Sequence, residues 1–154
     1  MNTIKKVAVG SDHAGFEYKN RLAAYLRERC YDVTDVGCDS EESCHYPIFA
    51  HRLCRLIQDG KCDAGILICG TGIGMSIAAN KHKGIRAAAC SEAFSARLTR
   101  EHNDANVLCL GARVIDYPTA QSLSELFLTT EFVGGKHATR IAMLADIENG
   151  TFKE

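Results

Sequence analysis

The run from Ala64 to Asn80 constrains this chain most. An apolar stretch, Ala64-Gly65-Ile66-Leu67-Ile68, ends on Cys69, and the loop Gly70-Thr71-Gly72-Ile73-Gly74 follows at once. A small-residue stretch from Met75 to Asn80 comes next. The pattern predicts a buried strand, a glycine turn and a helix, which is the unit of a parallel α/β sheet. Glycines let the backbone approach a ligand closely, and a helix N-terminus favours negative charge. The run therefore predicts an anion cradle with a thiol beside it, usable as a thiolate.

The rest of the chain repeats the alternation. Val7-Ala8-Val9 predicts a short buried strand, and Leu22, Ala23 and Leu26 fall at helical spacing after it. Residues 32–36 predict a second strand, and a polar loop runs on to Tyr46-Pro47. Phe49, Leu53, Leu56 and Ile57 form a helical stripe that Gly60 stops. Further strands are expected over 66–68, 85–90 and 107–110. Further helices are expected from Met75 to Lys83, from about Glu92 to Glu101, and near 119–128 and 139–147. No linker, internal repeat or low-complexity tract divides the sequence. We therefore expect one domain over 1–154, a Rossmann-like α/β/α sandwich of three layers with a five-stranded parallel sheet.

Composition excludes several classes of function. The 154 residues carry a net charge of −1, so no basic field points to nucleic acid. The apolar runs are too short to span a bilayer. The three apolar residues Val7–Val9 are too few for a signal-peptide core, which predicts a cytoplasmic protein. None of the eight cysteines shows C-x-x-C spacing. Cys38, Cys44, His45 and Cys62 are too irregularly spaced for a zinc site, and no disulfide framework is expected. Cys90 and Cys109 sit in apolar runs and read as core packing.

In parallel sheets ligands bind beyond the carboxyl ends of the strands. Here those ends carry Ser11-Asp12-His13, Gly37-Cys38, Cys69-Gly70-Thr71, Ser91-Glu92 and Gly111-Ala112-Arg113. Each residue has a bland reading beside the functional one. Cys69 could be a small core residue, but a strand end directly before the cradle is an unusual place for one. Asp12 can cap the first helix and still reach a ligand. His102, in His102-Asn103-Asp104, can complement a helix dipole or act in catalysis. Arg113, and the group Lys136-His137-Ala138-Thr139-Arg140, are ordinary basic surface taken alone. Beside an anion site they become a phosphate clamp. His51 and His82 read as solvated helix positions.

Taken together, these stretches resemble the sugar-phosphate isomerase family of type B ribose-5-phosphate isomerase and the galactose-6-phosphate and allose-6-phosphate isomerases. The similarity lies in Gly10-Ser11-Asp12-His13-Ala14-Gly15, Ile68–Gly74, Ala78-Ala79-Asn80-Lys81, Gly84-Ile85-Arg86-Ala87, residues 102–106 and Gly134-Gly135-Lys136-His137. The resemblance implies interconversion of ribose 5-phosphate and ribulose 5-phosphate through an enediolate, without metal or cofactor. It implies a homodimer or tetramer whose active sites are shared between subunits. Cys69 then corresponds to the proton-transfer group. The backbone of Gly70, Gly72 and Gly74 forms the oxyanion hole, with Thr71 beside it. His102 corresponds to the group that assists ring opening. Asp12, Tyr46 and Asn103 match contacts to substrate hydroxyls. His13, Arg113, His137 and Arg140 match phosphate ligands, and Lys136 stands where the family often has arginine.

His45-Tyr46-Pro47 departs from the Asp-Tyr-Pro usual in ribose-type members, which keeps isomerisation of a six-carbon sugar phosphate as the alternative. A dinucleotide-binding module is a further reading, with Glu92 roughly 20 residues beyond the glycines. Its third glycine would fall at Met75, and its fingerprint belongs to the first strand rather than the third. A non-catalytic phosphosugar sensor is disfavoured by the presence of both Cys69 and His102.

Overall fold

The computed structural model describes residues 4–154; the chain start, read above for a leader, lies partly outside them. Five strands form one parallel sheet in the order β2-β1-β3-β5-β4: β1 (Lys6–Ser11), β2 (Asp32–Asp35), β3 (Ala64–Cys69), β4 (Ala87–Ala89) and β5 (Val107–Gly111). Six α-helices accompany them: α1 (Phe16–Glu28), α2 (Tyr46–Gln58), α3 (Ile73–Ala79), α4 (Ala93–Asn103), α5 (Tyr117–Thr129) and α6 (Lys136–Asn149). No helix among the described residues is long and apolar enough to cross a membrane.

The strand order follows burial. β3 and β5 are buried along their whole length and lie inside the sheet, whereas the three-alanine β4 is partly exposed and takes an edge. Strand side chains alternate between faces, so β3 splits its residues between two cores. Val7, Val9, Ile66, Ile68, Leu108 and Leu110 pack under α1, α4 and α5 with Leu22, Leu26, Leu123 and Phe127. Ala8, Leu67, Cys69, Val107 and Cys109 pack under α2 and α3 with Phe49, Leu53 and Met75. Each fully buried Leu or Ile side chain contributes roughly 1.5–3 kcal/mol. The third layer is thus built, while α6 has no buried residue and lies against α4.

Three of the differences from the expected boundaries have a local cause. α3 ends at Ala79 rather than Lys83 because the Asn80 side chain leaves the helix to pair with Ala87, donating to its carbonyl and accepting from its N–H. β4 is shorter than 85–90 because the Arg86 N–H is taken by the Asn106 side chain. α6 begins at Lys136, since Gly134 and Gly135 both adopt positive φ and turn the chain into it.

Lys19 on α1 is buried at 2% exposure. It is satisfied by Asp35, whose carboxylate oxygens accept from its Nζ at 2.7 and 2.9 Å. Asp35 also accepts from the Gly37 N–H at 2.8 Å, so this pair fixes where the chain leaves β2.

Candidate active site

The sheet order reverses between β1 and β3, because β1 continues to β2 on one side while β3 lies on the other. Ligands bind at such switch points. Ser11 is in register with Ile68, and Cys69 with Gly111, so Asp12, Cys69 and Arg113 leave three adjacent strands side by side.

Cys69 is buried, and its sulfur accepts a hydrogen bond from the Gly72 N–H at 3.1 Å. Gly72 has φ of +79°, and a Cβ there would lie 3.0 Å from the backbone of Leu110, so only glycine closes the turn. Gly74 lies against the Tyr46 ring; an added Cβ would come within 2.9 Å of its Cζ. Arg113 extends over Gly70, with Nη1 3.3 Å from where a Gly70 Cβ would be. The Ile73 N–H donates to Thr71 Oγ1 at 3.3 Å. The expected row of open N–H groups is therefore partly occupied from within: the sulfur and the threonine hydroxyl hold two of the donors. A cavity of about 280 Å³ borders the loop, lined by Thr71, Ile73, Ser91 and Val114 among others.

Asp12 performs its capping role. Its Oδ1 accepts from the Ala14 and Gly15 N–H groups at 2.9 and 3.3 Å, starting a single 3-10 turn before α1. Nδ1 of His13 accepts from the Cys44 N–H at 3.2 Å, which ties β1's end to the loop before α2.

The remaining predicted residues form a second group. His102 and Asn103 close α4, and Asp104 caps it in the left-handed conformation. The rings of His102 and His137 stack at 4.0 Å between centroids. With Asn103, Arg140, Ile141 and Leu144 they line a cavity of about 320 Å³. Burial, then the positive charges of His102, Arg140 and Lys136, hold the His137 imidazole below its usual pKa. Lys136 is exposed at the start of α6 and does not line that cavity. The cavity that holds this group and the one beside the glycine turn share no lining residue, and no hydrogen bond among the described residues joins the group to Cys69, Thr71, Tyr46 or Arg113. Within one chain, the thiol half and the imidazole half of the predicted site are separate.

Several residues carry structural roles that motif reading left unassigned. The Arg86 guanidinium donates to the carbonyls of Asn103 and Asp104, anchoring the end of α4 that bears His102. The Asn106 amide donates to Gly84 O and accepts from the Arg86 N–H. His51 and His82, expected to be solvated singly, pair at 2.8 Å. His82 Nδ1 faces the Ala78 and Ala79 carbonyls and so carries the proton, leaving Nε2 to accept from His51. Cys90 and Cys109 are core residues as expected; burial raises Cys90 to about 11 and also pushes Cys109 well up. Among the described residues, no group of three or more His, Cys, Asp or Glu side chains is placed to hold a metal ion. An apolar cavity of about 370 Å³ between Ile85 and α6 contains none of the predicted site residues.

Fold and site together define a class: parallel α/β proteins that set a thiol against a glycine turn at the switch point of the sheet. Comparison with known proteins narrows this. Residues 7–144 match the model of the Ribose/Galactose Isomerase family, and the chain belongs to that family. It is 46% identical to ribose-5-phosphate isomerase B of Escherichia coli over 145 residues, 94% of this chain and 97% of that one. The solved ribose-5-phosphate isomerase B of Clostridium thermocellum superposes with a TM-score of 0.93 at 47% identity, covering 94% and 98% of the two chains. That of Anaplasma phagocytophilum superposes at 0.88 with 54% identity, covering 94% and 99%.

Proposed function

We propose that the chain acts as a single isomerase domain that interconverts ribose 5-phosphate and ribulose 5-phosphate in the cytosol. The observation that carries this reading is the Cys69 sulfur, held at 3.1 Å by the Gly72 N–H inside the glycine turn, in a chain so similar to ribose-5-phosphate isomerases B. Aldose–ketose isomerisation removes a proton beside a carbonyl, and a positioned base with N–H donors at the forming oxyanion lowers that barrier. Cys69 as thiolate takes the C2 proton of the open-chain aldose and returns it to C1, while the O2 hydroxyl proton passes to O1. Substrate entering the turn displaces the internal contacts of Gly72 and Thr71, and the N–H groups of Gly70–Gly74 receive the enediolate oxygen. His102 assists opening of the furanose ring. Asp12, Tyr46 and Asn103 hold hydroxyls. His13, Arg113, Lys136, His137 and Arg140 hold the phosphate, whose binding energy aligns the reacting carbons.

We further infer that the working unit is a dimer or larger assembly, in which the imidazole half of one chain completes the thiol half of another. The separation of the two halves supports this, and so do the exposed apolar side chains beside each. Ile73, Ile77 and Val114 flank the glycine turn, and Met143, Leu144 and Ile147 continue the surface of α6. The free state of all eight cysteines suits a reducing compartment. The six-carbon alternative is not favoured, because the similar proteins described above are ribose-5-phosphate isomerases B. Assay of the purified protein against ribose 5-phosphate, allose 6-phosphate and galactose 6-phosphate tests the reading. Turnover is expected with the pentose; turnover confined to a hexose would overturn it.

A further inference from the structure

The buried Lys19–Asp35 pair takes no part in the isomerisation chemistry, yet its contacts lead to the site. Lys19 lies in the first turn of α1, with Nζ 5.5 Å from the centre of the Phe16 ring. Asp35 ends β2, in register with Val9, and both its carboxylate oxygens accept from Nζ. Its Oδ1 also accepts from the Gly37 N–H at 2.8 Å. The Gly37 carbonyl in turn accepts from the Ser11 N–H at 2.8 Å, and the Ser11 carbonyl accepts from the Cys38 N–H at 3.0 Å. Ser11 is the last residue of β1, and Asp12 and His13 follow it in the turn that leads into α1. The contacts therefore close a ring. It runs from Ser11 along the chain to Lys19, across to Asp35, and back through Gly37 to Ser11. Asp12 and His13 lie on the segment that this ring closes.

Stability is a weak reason for such a pair. Burying two charges loses hydration that their attraction only partly offsets, and apolar side chains of similar volume often serve as well or better. What apolar side chains lack is direction. A carboxylate accepts charge-assisted hydrogen bonds at defined angles, and here it ties a helix start and a loop to one point. We propose that Lys19 and Asp35 are positioning residues for the substrate site. They hold Asp12 and His13 beside Cys69 and touch no substrate themselves. The inference rests on the reading of Asp12 as a hydroxyl contact and His13 as a phosphate ligand. Without the pair, the Asp12 side chain keeps its bonds to the Ala14 and Gly15 N–H groups, and its own N–H keeps the Ile68 carbonyl at 3.2 Å. The segment stays folded but loses its tie to the end of β2. Cys69 and Gly72 hold each other outside the ring, so the loosening falls on binding rather than on proton transfer.

The test compares wild type with Lys19→Met and with Lys19→Met/Asp35→Leu; the double variant leaves neither charge without its partner. Amide hydrogen exchange by NMR reads the placement of the segment, and steady-state kinetics with ribose 5-phosphate read its consequence. None of the Ser11, Asp12 and Gly15 N–H groups donates to Asp35, so their exchange reports on the segment itself. In the double variant these amides are expected to exchange roughly tenfold faster, while those inside β3 and β5 keep their wild-type rates. KM is expected to rise several-fold with kcat little changed, and Lys19→Met is expected to move both readouts in the same direction. Equal acceleration throughout the sheet, or a double variant that does not fold, would make the pair a stability device and overturn the proposal. So would unchanged exchange at Ser11, Asp12 and Gly15, or local acceleration with an unchanged KM. The exchange is read without substrate, whereas failure of the isomerase reading would show as no turnover in the wild type.

Discussion

His102 and His137 stack with their rings 5° from parallel and 4.0 Å apart. Burial disfavours a charge on His137, and His102, Arg140 and Lys136 beside it add repulsion. His137 is thus held below its usual pKa in the free protein and is largely neutral from the usual imidazole range upward. A bound phosphate dianion reverses the sign of its surroundings and raises that pKa. Binding of a sugar phosphate near pH 6.5 should therefore take up a proton at His137 (about the usual imidazole value). Calorimetry in two buffers of different ionisation enthalpy measures the uptake, and it should shrink in His137→Asn. Equal uptake in both proteins would remove His137 from the phosphate site.

Cys69→Ala should abolish isomerisation while binding of a sugar phosphate survives. A general acid–base group contributes on the order of 10²–10⁴-fold, so the loss should fall almost entirely on kcat. Activity within a few-fold of wild type would defeat the assignment of Cys69 as the proton carrier.

The separate halves of the site make a mixing experiment decisive. Cys69→Ala and His102→Ala chains should each be inactive alone. Exchanged subunits should pair an intact thiol half with an intact imidazole half. Random pairing into dimers gives one whole site in half of the assemblies, so recovery should approach roughly a quarter of wild-type activity. No recovery despite proven exchange would place both residues in one chain's site.

Gly74→Ala tests the seat of Tyr46. The new Cβ would meet the ring at 2.9 Å and push it from the glycine turn. KM for the sugar phosphate should rise while the fold is retained, because Gly74 does not adopt positive φ. Gly72→Ala should behave differently. Its φ of +79° and the nearby Leu110 backbone leave no low-energy place for a Cβ, so stability should fall by at least roughly 1–2 kcal/mol in a thermal or urea melt.

Much of this protein was legible from local pattern. The alternation of strands and helices, the cysteine before the glycine turn, the cap at Asp12 and the histidine at the end of α4 all depend on spacing and on residues a few positions apart. Backbone sterics and hydrogen-bonding geometry act over that range, so the sequence by itself determined them. It did not determine that β5 lies inside β4, that Lys19 is buried against Asp35, or that His51 meets His82. Nor did it reveal that His102 faces His137 and Arg140 instead of Cys69. These depend on which apolar surfaces are covered when the sheet assembles, and on which helix ends are then brought together. Only the tertiary structure decided them, because contacts between distant segments come from the packing of the whole chain and leave no mark in the spacing of either segment.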